Sequence, residues 1–327
     1  MLTNRPILAV LFVAVLAAAA APAAAQRLPF ERTIDVAPGA TLDVATYRGK
    51  VNVTRHDARQ IRIDGTVTIR AAADFRTTAN PLEVARRVAD RPRIEVAGNV
   101  VRLRPPIDAD ELRVTTVSYN VQVPRDTRVV IVTDSGEVSV DGVAAPVTVT
   151  TQSSAITLTG LEGQAEVKTG SGDVRVDRSA GGLSVVTESS AMTLRGLGGA
   201  LEARTQSGAI RASFAGAGSA DVETGSSAIQ LDGLSGRLAV RTQSGRVEVR
   251  GTPTADWDVT TGSSVIDAAF ASSARFTLEA TSRSSSVRVQ GLTVDGSAAK
   301  ERVSGTVGGG GPTVRLASRS GQIHIGH

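Results

Sequence analysis

A short phrase, Thr-x-Ser-(Gly or Ser)-x-apolar-x-apolar, returns again and again between Thr133 and Ala268. Copies begin at Thr133 (TDSGEVSV), Thr151 (TQSSAITL), Thr169 (TGSGDVRV), Thr187 (TESSAMTL), Thr205 (TQSGAIRA), Thr224 (TGSSAIQL), Thr242 (TQSGRVEV) and Thr261 (TGSSVIDA). Looser versions start at Ser282 and Ser318. Successive threonines stand 18 or 19 residues apart, a period in the range of solenoids whose repeats bury their apolar faces against neighbours. With 33 Gly and only 3% aromatic residues, the chain suits stacked strands and tight turns better than a conventional globular core. The expected fold is all-β, a parallel β-solenoid (β-helix) with about 18 residues per coil and one short helix in the N-terminal region.

Each unit reads as two strands, such as Val147–Thr151 before the corner and Ile156–Leu158 after it. Alternate residues of a strand share a face, so Val147, Val149, Thr151 and Ser153 are expected to point inward together. Units alternate between a Ser-Ser form and a Ser-Gly form, and three Ser-Ser units are followed by Gly-Leu. The alternation leaves a 36-residue coil as the alternative to an 18-residue one. The smaller coil is preferred because Val, Ile, Leu and Ala fill its cross-section more readily.

The termini and the irregular segments divide the chain. Asn4 and Arg5 precede an apolar run that ends in Ala23-Ala24-Ala25, the pattern of a secretory signal peptide over residues 1–25. Residues 26–127 are expected to form irregular β coils, with TYRGKVNV from Thr46 as a first coil. Within them Asn80-Pro81-Leu82-Glu83 supplies a cap, a first-turn Pro and an acid, and Arg91-Pro92 a stop. These signals predict a helix over 81–90 that covers the solenoid's open end. Asp108, Asp110 and Glu111 read as a solvated acidic loop, since a calcium loop needs more ligands at set spacing. Regular repeats are expected over 128–327, interrupted by an insertion at about 291–311 whose four glycines, Gly308 to Gly311, mark a turn.

Charge and chemistry narrow the function classes. The chain has 36 Lys and Arg against 32 Asp and Glu, interspersed, a balance unlike the basic patch of a nucleic-acid binder. No Cys is present, which excludes disulfides and a cysteine-linked lipid anchor. The expectation is no nucleic-acid partner and no transmembrane segment in the mature chain. The three histidines, His56, His324 and His327, have no metal-site spacing, and no Gly-x-Ser-x-Gly elbow occurs among the many serines. No catalytic residue, cofactor or metal is assigned. Lys168, Arg204 and Arg241 recur just before the Thr of the Ser-Gly units, with Arg175 and Arg211 on the strands that follow. These five form a candidate stripe for an anionic ligand such as a glycan, although Glu166 and Glu202 stand two residues before Lys168 and Arg204. A ladder of Thr facing inward does not fit an ice-binding surface.

The opening FERTIDVAPGATLDV, the repeated V-x-T-x-SG-x-V-x-V units and the closing VSGTVGGGGPTVRLASRSGQIHI together resemble the bacterial DUF4097 family of adhesin-like proteins, over about Phe30 to Ile325. The resemblance implies an exported β-solenoid and supplies no catalytic residues, so no site is carried over from it. The helix at 81–90 departs from the plain repeat. The resulting expectation is a non-enzymatic module of the cell envelope, periplasmic, extracellular or at the cell surface. It would act as an adhesin-like or scaffold unit with a glycan or an envelope protein as partner. A β-helical polysaccharide lyase or hydrolase and an envelope ligand-sensing module stay open as alternatives.

Overall fold

A computed structural model describes residues 27–70 and 80–327, so the signal segment at residues 1–25 lies outside the described residues. The regular elements of the described chain are almost all strands, 29 of them with two helices. The strands form a 15-stranded and a 14-stranded sheet that are parallel through the middle. Each array coil contributes one strand to each sheet: the strand before the Thr-x-Ser corner goes to the first, the strand after it to the second.

The register decides the coil length. Val147 pairs with Val129 on one side and Ala165 on the other, and Thr151 with Thr133 and Thr169. On the second sheet Ile156 lies between Val138 and Val174. A repeat unit therefore stacks on the next one in sequence, with one unit per coil of 18 or 19 residues. A 36-residue coil would have paired Thr151 with Thr187. Eight such coils follow without a break, from the strands Arg128–Ser135 and Val138–Asp141 to Trp257–Thr261 and Ile266–Phe270. Val, Ile and Leu from both sheets meet between them as one continuous core. Removal of this apolar surface from water, together with the backbone ladders, holds a chain that has no disulfides.

The alternation of Ser-Ser and Ser-Gly units belongs to the corner. In a Ser-Ser coil the second serine turns inward, so Ser154 and Ser190 are buried while Ser153 and Ser189 are exposed. The expected inward position of Ser153 is thus shifted by one residue, because the chain leaves strand geometry after the Thr and the two-residue alternation ends there. The buried hydroxyl accepts a hydrogen bond from the glycine of the coil before it: Gly136 N–H to Ser154 Oγ and Gly172 N–H to Ser190 Oγ, each 2.8 Å. The glycine must be a glycine. A Cβ at Gly172 would lie 2.1 Å from the Ser154 carbonyl oxygen, and one at Gly208 would lie 1.7 Å from that of Ser190. Unlike coils alternate because each form makes room for, or bonds to, the other.

Both ends of the solenoid depart from sequence order. At the N-terminal end the coil Thr41–Arg48/Val51–His56 is not outermost. It lies between the first array coil and a coil formed later in the chain by Val100–Leu103 and Thr115–Pro124. At the C-terminal end the coil Thr313–Ser318/Ile323–Gly326 slots between the last array coil and the earlier segment Phe276–Ser282/Val287–Val289. The expected first coil and last coil each sit one layer in from the tip.

Antiparallel strands close the tips. Arg27–Asp35 pairs with Gln60–Ile69, and Ile94–Ala97 with Val100–Leu103. The expected insertion at 291–311 holds a hairpin, Asp295–Ala298 with Arg302–Val307, laid antiparallel on Phe276–Ser282. Gly308 to Gly310 turn it back at positive φ. Helix α1, Pro81–Asp90, has the predicted bounds: Asn80 Oδ1 accepts from Leu82 N–H at 3.0 Å, Pro81 opens the first turn, and Val84, Ala85, Val88 and Ala89 are buried. Ala85, Val88 and Ala89 join the core at this end, as a helix covering the solenoid's end requires. The acidic loop is a second, unexpected helix, α2, Ala109–Val114. Asp108 Oδ1 caps it by accepting from Asp110 N–H and Glu111 N–H, and the acids in its first turn suit the helix dipole. Among the described residues no helix is long and apolar enough to cross a membrane.

Candidate functional site

The five cations of the expected stripe do not share a face. Lys168, Arg204 and Arg241 stand in one outward column of the first sheet, where the register stacks Lys168, Val186, Arg204, Glu223 and Arg241 in turn. Arg175 and Arg211 stand in a column of the second sheet, across the core, with Thr193 between them. Most of these charges are already matched. Lys168 pairs with Glu166 at 2.6 Å, Arg204 with Glu202 and, at 3.7 Å, with Glu223, and Arg241 with Asp221 at 3.7 Å. Arg175 pairs with Asp173 at 3.1 Å. Exposed pairs of this kind contribute little to stability, but they cancel the field that would draw an anion. Arg211 has no ion pair among the described residues.

Two of the three histidines are held by neighbours. His56 Nε2 lies 2.6 Å from the Gln60 carbonyl oxygen and its Nδ1 accepts from Ala58 N–H. His324 lies between Asp267 and Gln322, within a surface chain of charges that also includes Arg246 and Glu248.

A walled cleft forms elsewhere, where the repeat breaks. It has a volume of about 520 Å³ and runs along the corner of the first coils, between the repeated turns and an overhang made by Pro105, Pro106 and α2. The register identifies what is singular about it. Thr46 pairs with Thr133 and Arg48 with Ser135, so TYRG at 46–49 is the inner coil's copy of the corner that reads TDSG at 133–136 and TQSS at 151–154. Where each array corner carries a serine two residues after its Thr, this coil carries Arg48; where the others carry Asp134 or Gln152, it carries Tyr47. Both side chains are exposed, Tyr47 by 49%, although a ring of that size is usually covered.

The surroundings hold these two residues in place. Thr46 Oγ1 donates to the Arg48 carbonyl at 2.8 Å and fixes the turn. Across the cleft Arg70 Nη1 donates to the Arg113 carbonyl at 3.1 Å, and Arg70 N–H donates to the Val114 carbonyl at 2.9 Å. These bonds tie the end of Gln60–Ile69 to α2. Arg113 is exposed and pairs with Asp110 at 3.9 Å, while Arg48 has no acidic partner within 4 Å among the described residues. Arg48, Arg70 and Arg113 line the cleft, whose lining among the described residues includes one acid, Asp134, with Tyr47, Pro105, Pro106 and Leu112 as its apolar surface.

Perturbed carboxylates brace this end of the solenoid. Arg104 donates to both oxygens of Asp43, at 2.9 and 2.5 Å. That bond holds the Asp43 carboxyl below its ordinary value of 3.8 against the opposing effect of burial. Asp126 accepts from Gly39 N–H at 3.0 Å and from Arg59 at 2.8 and 3.0 Å, and it too is lowered, first by the Gly39 bond and then by Arg59. Glu111, by contrast, is raised by burial and by nearby Asp108. Burial pushes the Tyr119 phenol up to about 12; its ring meets Phe30 edge-on at 6.2 Å under the cap.

The Toastrack DUF4097 family matches residues 40–218 and again 178–326. The chain belongs to that family. The two matches overlap over residues 178–218, as the internal repetition of the chain allows. No curated protein matches the sequence. Among solved structures, the chain is similar to a candidate cell adhesion protein from Clostridium sporogenes ATCC 15579, at 12% identity and a TM-score of 0.23, over 91% of this chain and 99% of that one. It is also similar to candidate adhesins from Bacteroides fragilis NCTC 9343 (12% identity, TM-score 0.33, 91% and 96% covered) and Parabacteroides distasonis ATCC 8503 (10%, 0.33, 90% and 96%). At these scores no part of the cleft is carried over from them.

Proposed function

We propose that this Toastrack protein is an exported, non-enzymatic recognition module of the bacterial cell envelope that takes its ligand in the corner cleft beside Tyr47 and Arg48. The observation that carries the reading is the substitution of Tyr-Arg into a corner that holds small polar residues in the array. No array corner from Thr133 to Ser264 carries an aromatic ring or a cation at these two positions, and among the described residues Tyr47 is the one exposed ring of the Phe, Tyr and Trp side chains; a cation beside such a ring suits a specific ligand. The signal segment at residues 1–25 supports export, to the periplasm or the cell surface. The paired state of Lys168, Arg204 and Arg241 supports a solubilising role for the sheet face, in place of the catalytic stripe of a β-helical lyase.

The test uses labelled mature protein, beginning at Gln26, and envelope fractions of the producing bacterium. The wild type and an Arg204→Ala/Arg241→Ala variant are expected to bind alike, and a Tyr47→Ala/Arg48→Glu variant at least tenfold more weakly. Loss of binding in the sheet variant with retention in the cleft variant would sink the reading. Release of soluble fragments from the envelope during incubation would overturn its non-enzymatic part.

A further inference from the structure

The chemistry of the cleft narrows its ligand. Tyr47 offers a flat ring face and Pro105 and Pro106 add apolar surface, and Tyr47 stands half exposed with no aromatic partner among the described residues. The electron-rich face of the Tyr47 ring, apolar with a polar hydroxyl at its edge, suits the C–H side of a sugar ring. Gln152 and Ser153, both exposed on the corner of the second array coil, supply an amide and a hydroxyl that can each donate and accept, matching ring hydroxyls. Guanidinium groups at Arg48 and Arg113 match a carboxylate in the two-pronged geometry that Lys does not reproduce. Arg113 is placed by the bond from Arg70 to its carbonyl. The volume of about 520 Å³ falls in the ordinary range of small-ligand sites, about 300–1,000 Å³.

Two other ligand chemistries fit less well. A phosphate-rich ligand is best served by several Lys and a cradle of backbone N–H groups, and no Lys lines this cleft. A peptide that adds a strand needs a free sheet edge, and the strands that border the cleft, Thr41–Arg48 and Thr115–Pro124, are each paired on both sides.

We propose that the corner cleft binds a carboxylated saccharide, a uronic-acid glycan segment, with a sugar ring stacked on Tyr47 and its carboxylate on Arg48 and Arg113. The proposal rests on the reading of the cleft as the recognition site. Its probes are oligogalacturonate of defined length, the neutral galactose oligomer and dextran sulfate, titrated calorimetrically against the full mature chain.

Oligogalacturonate is expected to bind at least tenfold more tightly than the neutral oligomer. Tyr47→Ala and Arg48→Glu should each weaken it tenfold or more, and Arg48→Lys should recover only part of the loss. Arg241→Ala should leave it unchanged. Equal binding of dextran sulfate, weakened by Arg48→Glu and unaffected by Tyr47→Ala, would overturn the carboxylate and ring-stacking assignments while leaving the cleft as a polyanion site. Absence of oligogalacturonate binding to the wild type, in a preparation that still binds envelope fractions through Tyr47 and Arg48, would do the same. Binding abolished by Arg241→Ala and untouched by Arg48→Glu would overturn the cleft itself. Circular dichroism and the urea midpoint of each variant separate loss of a contact from loss of the fold.

Discussion

Between Arg128 and Phe270 each coil repeats the register and buried pattern of the last, whereas the coils beyond either end are built out of order, closed by antiparallel strands and, on the N-terminal side, covered by two helices. In the array the outward charges pair with neighbours two residues or one coil away, as Arg204 does with Glu202 and Glu223. At the N-terminal end an Arg and a Tyr replace members of the same corner column and face a walled cleft. The difference teaches that repetition solves the folding problem and, by the same means, prevents a unique site. A side chain copied at every level meets its own equivalents. Singular chemistry needs a coil that has lost its identical neighbours on one side, and the ends supply it.

The sharpest way to break this comparison is to remove an end. A chain stopped at Gly311 lacks the inner coil that pairs with the last array coil on one side and the outer coil on the other. Hydrogen exchange should show lost protection across 276–307, and light scattering a shift toward oligomers through opened strand edges. If the outer coil kept full protection, the out-of-order layer would be dispensable.

Within the array the largest single effect is expected at a corner. Gly208→Ala places a Cβ on the Ser190 carbonyl and should lower the urea unfolding free energy by about 3 kcal/mol or more. Gly182→Ala, whose new Cβ meets only Ala200 O at 3.8 Å, should stay within about 1 kcal/mol of wild type. Equal effects would show that the corner is not where coils are matched.

Acid separates the regions by a different route. Asp43 and Asp126 both brace the N-terminal end, and both have folded pKa values below their ordinary 3.8. A lowered carboxylate stabilises the fold above its unfolded pKa, and that contribution disappears as pH falls through the unfolded and then the folded value. Exchange protection of α1 and of Ile94–Ala97 should therefore decline as pH falls below about 4, before protection of the array strands does. Asp43→Asn should remove part of the decline.

The smallest effect belongs to the threonine ladder. Thr242 Oγ1 is buried without a hydrogen-bond partner among the described residues, so Thr242→Val should be neutral or stabilise by up to about 1 kcal/mol. Ser190→Ala removes the acceptor of Gly172 N–H and should cost about 1–2 kcal/mol. A loss at Thr242 as large as that at Ser190 would mean the ladder is polar chemistry and not packing.

The array was legible because its evidence is local and repeated: the Thr spacing names the coil length, and period-two patterning names the buried face. Helix α1 was legible for the same reason, with cap, Pro and stop within a dozen positions. The corner was misjudged by one residue at Ser153, where a turn suspends the strand parity. Helix α2 was hidden because three acids in a short segment read equally as a solvated loop. The order of the end coils depends on pairings between distant segments, such as Val51 with both Tyr119 and Val138, and no local pattern records that choice. The stripe dissolved because recurrence along the chain did not separate the two sheets. The cleft did leave a mark: TYRG stands out once the corners are aligned, but an irregular copy invites dismissal as a worn repeat when it is the informative one.

The position of the last coil has a consequence for assembly. A solenoid can ordinarily grow by laying each new coil on the finished one, and this chain can do so through Phe270. The next segment, 276–289, then occupies a layer whose floor has not been made, because Thr313–Gly326 belongs beneath it. Either it waits, or it docks on the array and must later step outward. The strands Thr313–Ser318 and Ile323–Gly326 act as a keystone: the outer coil has its floor only once they arrive, and a cut that removed them would take out an inner course of the wall while leaving the outer one in place.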